Sequence, residues 1–213
     1  MSYRLIECEQ GSDEWLQARA GVITASRFRD AIDTLKGGGP SAKSISYAAQ
    51  VAIERISRMP SDEGFTTWQM RRGTNLEPRA RMEYEVQSGN LASESGIAIT
   101  EDGLFGYSTD GLVGDDGLVE IKCPAAPEKI LSMWATGDLS EYIHQIQGGM
   151  WITGRKWCDF IMYAPQLEPV GKQLYLLRVA RDDDFIDTMV EKLLAFRARV
   201  DANEQILRMK EAA

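Results

Sequence analysis

The sequence is poor in the residues on which many enzymes depend. His144 is its single histidine, so a zinc site built on paired histidines is excluded, and a Ser-His-Asp or Cys-His nucleophile would have to recruit that one imidazole. Cys8, Cys123 and Cys158 are an odd set with no C-x-x-C pair, which points to reduced thiols rather than a disulfide frame. No stretch approaches the roughly eighteen uninterrupted apolar residues of a membrane span. Where a secretory leader needs an apolar core, the first ten residues carry Arg4, Glu7 and Glu9, so a cytoplasmic protein without a membrane partner is expected. Internal repeats and low-complexity tracts are also missing.

What the chain does have is length and charge. A chain of 213 residues buries roughly 70% of the surface its unfolded form exposes, which makes a core without disulfides or a structural metal. Its 24 Lys+Arg against 32 Asp+Glu leave a net charge of -8. That excludes a simple basic coat for nucleic acid, whose phosphates are met by Lys and Arg. It does not exclude a locally positive channel, because Arg71, Arg72, Arg79 and Arg81 cluster while Asp182 to Asp184 lie elsewhere.

Periodicity places short helices first. Asp13 to Ala20 reads as one, and Thr24 or Ser26 is expected to cap a second over Phe28, Ala31, Ile32 and Leu35, ended by Lys36 to Pro40. A third carries the stripe Ile45, Ala48, Ala49, Ala52, Ile53 and Ile56 and stops at Met59-Pro60. Thr66 to Gln87 is helical in composition, with Gly73 and Pro78 predicting a kink or a fresh start near Asn75. Gly96 to Thr100, Gly103 to Tyr107, Gly111 to Val113 and Leu118 to Lys122 read as antiparallel strands. Helices are expected over Pro127 to Ala135 and Glu141 to Ile152, strands over Trp157 to Tyr163 and Leu174 to Val179. A long final helix has Phe185, Met189, Leu193, Phe196 and Val200 inward. This order predicts a mixed α/β (α+β) fold in a single domain.

One constellation carries chemistry. Residues two apart on a strand share a face, so Glu120 and Lys122 point one way, and Val119 and Ile121 point into the core. Asp110 lies in a turn one hairpin earlier, which can bring its carboxylate beside Glu120. Two carboxylates and the backbone carbonyl of Ile121 are the hard oxygen donors Mg²⁺ prefers, with water and a substrate phosphate completing the shell. Lys122 beside them can hold or deprotonate an attacking water and offset transition-state charge. The alternative is a surface salt bridge between alternate strand residues, although Lys122 is the one lysine with an acid two positions before it.

Five blocks then occur in order: Trp15-Leu-Gln-Ala-Arg19-Ala-Gly-Val-Ile-Thr-Ala-Ser26, Arg72-Gly-Thr-Asn-Leu-Glu77, Ser108-Thr-Asp110-Gly-Leu, Glu120-Ile-Lys122-Cys-Pro124 and Tyr142-Ile-His-Gln145-Ile-Gln-Gly-Gly-Met-Trp151. Together they resemble the phage lambda exonuclease family, the YqaJ-type viral recombinases of the restriction-endonuclease-like nucleases, over roughly residues 10 to 165. The resemblance implies a restriction-endonuclease-like core with a central mixed sheet flanked by helices. It implies one nuclease domain over 1–213, with N-terminal helices over 12–58, a catalytic core over about 66–180 and a C-terminal helix over about 182–211. The metal, Mg²⁺ with Mn²⁺ as substitute, would be held by Asp110, Glu120 and the Ile121 carbonyl. Lys122 matches the catalytic lysine, and Glu77 a helix carboxylate supporting the metal. Arg19, Ser26, Ser108 and Gln145 match residues that pocket a 5′-phosphate, and Met70 an apolar wedge between terminal base pairs. Thr109 stands where proline is frequent in the family, and Pro78 directly follows Glu77.

The implied activity is 5′-to-3′ digestion of one strand of linear double-stranded DNA by a homotrimeric ring. The product is a 3′ single strand for a single-strand annealing recombination protein, in the bacterial host cytoplasm if the gene is phage or prophage encoded. The alternatives are an endonuclease or single-strand nuclease on the same fold, and a non-catalytic DNA-binding protein. Outside the constellation, His144 reads as an ordinary surface or supporting residue. Trp134, Trp151 and Trp157 read as core or subunit interface, and Met70 by composition alone as helix packing. One or two of Arg71, Arg72, Arg79 and Arg81 are expected on the DNA backbone. Gly37 to Gly39 with Lys36 and Lys43 is either a loop that reaches the duplex groove or a plain linker.

Overall fold

A computed structural model describes residues 2–61 and 68–209 of the protein. Strands β1 (Tyr3–Ile6), β2 (Ile23–Thr24), β3 (Ile97–Thr100) and β4 (Phe105–Ser108) form one sheet in the order β1-β3-β4-β2. Strands β5 (Gly111–Val113), β6 (Gly117–Lys122), β7 (Trp157–Tyr163) and β8 (Leu174–Ala180) form a second sheet in chain order. Both are mixed: β2 runs parallel to β4 and β6 parallel to β7, and the other pairings are antiparallel. The helices are α1 (Asp13–Arg19), α2 (Phe28–Ala31), α3 (Ala42–Ser57), α4 (Trp68–Ser88), α5 (Pro127–Thr136), α6 (Ile143–Thr153) and α7 (Asp183–Arg208). None among the described residues is long and apolar enough to cross a membrane.

The mixed α/β fold is the expected one, divided more finely than periodicity indicates. The strands from Ile97 to Lys122 are not one meander. The chain leaves the first sheet after Ser108 and enters the second at Gly111, so Asp110 sits at the switch. Parallel pairing of β6 with β7 requires a crossover, which α5 and α6 supply. Strand β6 is dry on both faces, with Leu118 and Glu120 as buried as Val119 and Ile121. Its Leu118 packs with Phe160, Ile146 and Phe105, and Val119 and Ile121 pack with Tyr84, Ile161 and Tyr163. Each large apolar side chain so buried contributes about 1.5–3 kcal/mol by leaving water.

Other elements depart from expectation for identifiable reasons. The edge strands β1 and β2 were not anticipated: Tyr3, Arg4 and Leu5 are exposed and lack alternation, and β2 is two residues long. Helix α2 ends at Ala31 rather than near Leu35, and neither Thr24 nor Ser26 caps it; Ser26 lies in a 3-10 turn, Ala25–Arg27. Helix α3 buries Ala48 and Ala52 of its apolar stripe, but its buried face is turned so that Ser44, Tyr47, Val51 and Glu54 are also buried and Ile45, Ile53 and Ile56 are exposed. The Glu54 carboxylate accepts from the Gly21 and Ser61 amides, and the Ser44 hydroxyl donates to the Ala31 carbonyl, so polar bonds outweigh the stripe. Helix α4 runs through Pro78 without a fresh start near Asn75; its expected first residues, Thr66 and Thr67, lie outside the described residues. Helix α7 matches expectation, with Met189, Leu193, Phe196 and Val200 buried and Phe196 stacked on Tyr47 of α3 at 5.3 Å.

Candidate active site

The switch between sheets creates the centre of the site. Extending the β5–β6 register, Gly111 opposite Val119, by one residue sets Asp110 opposite Glu120. Asp110 accepts through Oδ2 from the Ile121 amide at 2.7 Å. Glu120 is fully buried and accepts through Oε2 from the Tyr107 hydroxyl at 3.0 Å. Lys122 Nζ lies 2.6 Å from Glu120 Oε1 and 3.3 Å from Gln145 Oε1. The Glu120–Lys122 pair is therefore no surface salt bridge: Glu120 is 1% and Lys122 27% exposed.

Like charges in a dry site raise proton affinity. Burial first and Glu120 second push the Asp110 carboxyl well above the usual carboxylate range, and burial pushes Glu77 up, moderated by Lys122. Burial opposes the charge on Lys122, but Glu120 and Asp110 outweigh it and hold the ammonium above its ordinary value.

These groups open into a cleft of about 530 Å³, lined also by Glu77, Arg19, Ser26, Ser108 and Gln145. Arg19, at the end of α1, lies over the Trp15 ring at 4.0 Å from its centroid. Trp15 donates its indole N–H to the Ser108 hydroxyl at 2.8 Å. Ser12 fixes this helix by capping the Trp15 amide. The Ser26 hydroxyl is 3.3 Å from that of Thr24. Gln145 enters from the first turn of α6, which approaches closely because Gly148 and Gly149 face the Phe28 and Tyr107 rings.

One cleft thus brings together every predicted site residue except Met70, whose side chain lies outside the described residues. Composition and spacing missed the supporting groups: Tyr107 on Glu120, Trp15 between Arg19 and Ser108, and Thr109, which donates to the Gly111 carbonyl at the switch. The aromatics among these carried a signal, since each stands within four residues of a candidate polar group. His144 packs on Phe185 at 5.2 Å, and burial, with Arg29 and Lys192, lowers its pKa. Trp134 packs on Tyr175, Trp151 on Phe28 and Phe105, and Trp157 beneath Arg178. The glycine loop doubles back on itself, with Leu35 N bonded to Gly39 O and Thr34 bridged to Pro40.

Fold and cleft together define a mixed α/β protein of the restriction-endonuclease-like class. The family model described as YqaJ-like viral recombinase domain matches residues 14–156, and the chain belongs to that family. It is similar to the alkaline exonuclease LHK-Exo from Laribacter hongkongensis, at 37% identity over 92% of this chain and 96% of that one, with a TM-score of 0.80. The same exonuclease in complex with dAMP superposes with a TM-score of 0.82 at the same identity and coverage. A phage-related exonuclease from Haemophilus somnus 129PT shares the fold, with a TM-score of 0.65 at 17% identity over 89% of this chain and 96% of that one. No curated protein matches the sequence.

Proposed function

We propose that the protein is a Mg²⁺-dependent 5′-to-3′ exonuclease. It digests one strand of linear double-stranded DNA from a 5′-phosphorylated end and leaves a 3′ single strand for recombination by strand annealing. One observation carries this reading: Asp110, Glu120, Lys122 and Glu77 line the same cleft as Arg19, Ser26, Ser108 and Gln145. The first group suits phosphodiester cleavage, and the second suits capture of a terminal phosphate dianion. Family membership and the likeness to an alkaline exonuclease support it.

The donor set fits a hard cation. Burial and mutual repulsion raise the proton affinity of Asp110, a charge imbalance that a divalent ion relieves. Among the described residues no three His, Cys, Asp or Glu side chains form a closed metal cage. The proposed set is instead Asp110, Glu120 and the Ile121 carbonyl, an incomplete shell of the kind Mg²⁺ shares with water and substrate phosphate. Mn²⁺ is expected to substitute. The bound ion would supply Lewis-acid activation of the phosphate and the attacking water.

The chain's own groups do the rest. Lys122, kept charged by Glu120 and Asp110, acts as a fixed cation beside the scissile phosphate and restrains the attacking water. Gln145 limits where that ammonium can swing. Glu77 lines the same cleft from helix α4, where by the family resemblance it would support the metal. Arg19, steadied on Trp15, grips the terminal phosphate with Ser26 and Ser108. The Met70 wedge, the homotrimeric ring and the single-strand annealing partner belong to the same proposal and rest on the family resemblance.

The test is digestion of one plasmid as closed circle and as linear duplex, in Mg²⁺ and in EDTA. Loss of the linear form in Mg²⁺, with the circle intact, is expected. Nicking of the circle means an endonuclease, and binding without turnover means a non-catalytic DNA-binding protein.

A further inference from the structure

Two arginines that the sequence marks as candidate DNA contacts are engaged with backbone carbonyls instead. Arg81 donates through Nη2 to the main-chain carbonyl of Asp110 at 3.1 Å, and its Nη1 pairs with Glu94. Arg72 donates through Nη1 to the carbonyls of Cys123 at 2.7 Å and Pro124 at 3.3 Å. Neither sheet's ladder reaches these carbonyls: Asp110 lies in the switch between β4 and β5, and Cys123 and Pro124 follow the end of β6. Glu77 stands between the two arginines on the same helix. Helix α4 is thereby fastened at one point to the segment bearing Asp110 and at another to the segment bearing Lys122. Arg79, by contrast, pairs with the exposed Glu168, and Arg71 is exposed.

We infer that Arg72 and Arg81 are positioning residues of the catalytic centre, which fix Glu77 of α4 relative to Asp110, Glu120 and Lys122 on the strands, and are not contacts to DNA phosphates. The inference rests on the proposed metal-dependent reading of the same cleft. Without Arg81, the aim of the Asp110 carboxylate is left to its bond with the Ile121 amide. The Arg81 side chain is 17% exposed, its two Nη atoms are each bonded and its Nε is buried, so little of the guanidinium is open to a phosphate. Groups that orient metal ligands in this way are worth about 10- to 100-fold in metal affinity or activity.

The test uses the full chain as wild type, R81M, R81K, R72M and R72K. Mn²⁺ binding to metal-stripped protein is read by electron paramagnetic resonance without DNA. Alongside it, kcat and KM are measured on 5′-phosphorylated linear duplex, and duplex affinity in EDTA is followed across salt. R81M should weaken Mn²⁺ binding about 10- to 100-fold and lower kcat comparably, with duplex KM and salt slope unchanged. R72M, acting through Lys122, should lower kcat about tenfold with Mn²⁺ affinity retained. Each lysine variant can donate one bond to the freed carbonyl and should recover part of the loss, which a misfolded variant would not. The inference is overturned by a fall in duplex affinity with the salt slope reduced by about one while kcat and Mn²⁺ binding stay intact, the signature of a phosphate contact. Unchanged values in both methionine variants overturn it equally. If the wild type binds Mn²⁺ but does not cleave DNA, the exonuclease reading fails while the Mn²⁺ measurement still decides the role of Arg81.

Discussion

Trp15 donates its indole N–H to the hydroxyl of Ser108, 93 residues further along the chain, at 2.8 Å, while the guanidinium of Arg19 rests on its ring. One aromatic side chain therefore sets the relative position of two groups assigned to the 5′-phosphate. Trp15→Phe keeps a ring beneath Arg19 and removes the donor. A single hydrogen bond of about 1 kcal/mol predicts a roughly fivefold loss in the preference for 5′-phosphate over 5′-hydroxyl ends. Competition between the two ends measures it, and an unchanged ratio would detach Trp15 from end recognition.

Lys122→Ala should reduce cleavage by about 10²- to 10³-fold or more while duplex binding is retained. The substitution is not silent for folding, since it strips the buried Glu120 of its counter-charge. In EDTA at neutral pH the variant should melt below wild type. A near-normal cleavage rate would remove Lys122 from the mechanism.

Gly149 is confined by the ring that holds Glu120. A Cβ at this position would lie 2.6 Å from Tyr107, whose hydroxyl bonds the Glu120 carboxylate. Gly149→Ala should therefore cost about 1–3 kcal/mol through overpacking and lower kcat more than KM. Denaturant unfolding beside steady-state kinetics checks both. A stable and fully active variant would show that Tyr107 can move without disturbing Glu120.

The grouping of Asp110, Glu120 and Lys122 is legible in the sequence because it follows a short period. The two-residue spacing of Glu120 and Lys122 and the hairpin return of Asp110 survive folding unchanged. What stayed hidden has no period. The passage from one sheet to the other occupies Thr109 and Asp110, too few residues to mark a break in alternation. On α3, Ser44 and Glu54 turn inward because each meets a backbone partner distant in sequence. The bonds from Arg72 and Arg81 to carbonyls are equally invisible, because any carbonyl can accept and the sequence marks none.

Proton linkage gives a further prediction. In the metal-free protein Asp110 and Glu77 hold their protons more tightly than in the unfolded chain. The folded state thus binds more protons once pH rises above the ordinary values of 3.8 and 4.5, and stability declines with rising pH until the folded values are passed. His144, whose pKa is lowered, contributes with the opposite sign, so the difference between wild type and Asp110→Asn isolates the carboxyl. Urea unfolding in EDTA from about pH 5 to about pH 8 should show wild type losing stability relative to Asp110→Asn, and Mg²⁺ should reverse that trend. A relative gain with pH in EDTA would contradict the origin assigned to the Asp110 shift.

The most direct test of the central claim is strand-selective digestion. A linear duplex carrying a 5′-phosphate on one strand and a 3′ label on each is incubated with wild type and Arg19→Ala in Mg²⁺. The account predicts that wild type shortens the phosphorylated strand from its 5′ end and spares its complement, and that Arg19→Ala loses this selectivity. Shortening from the 3′ ends, or equal loss of both strands by the wild type, would contradict it.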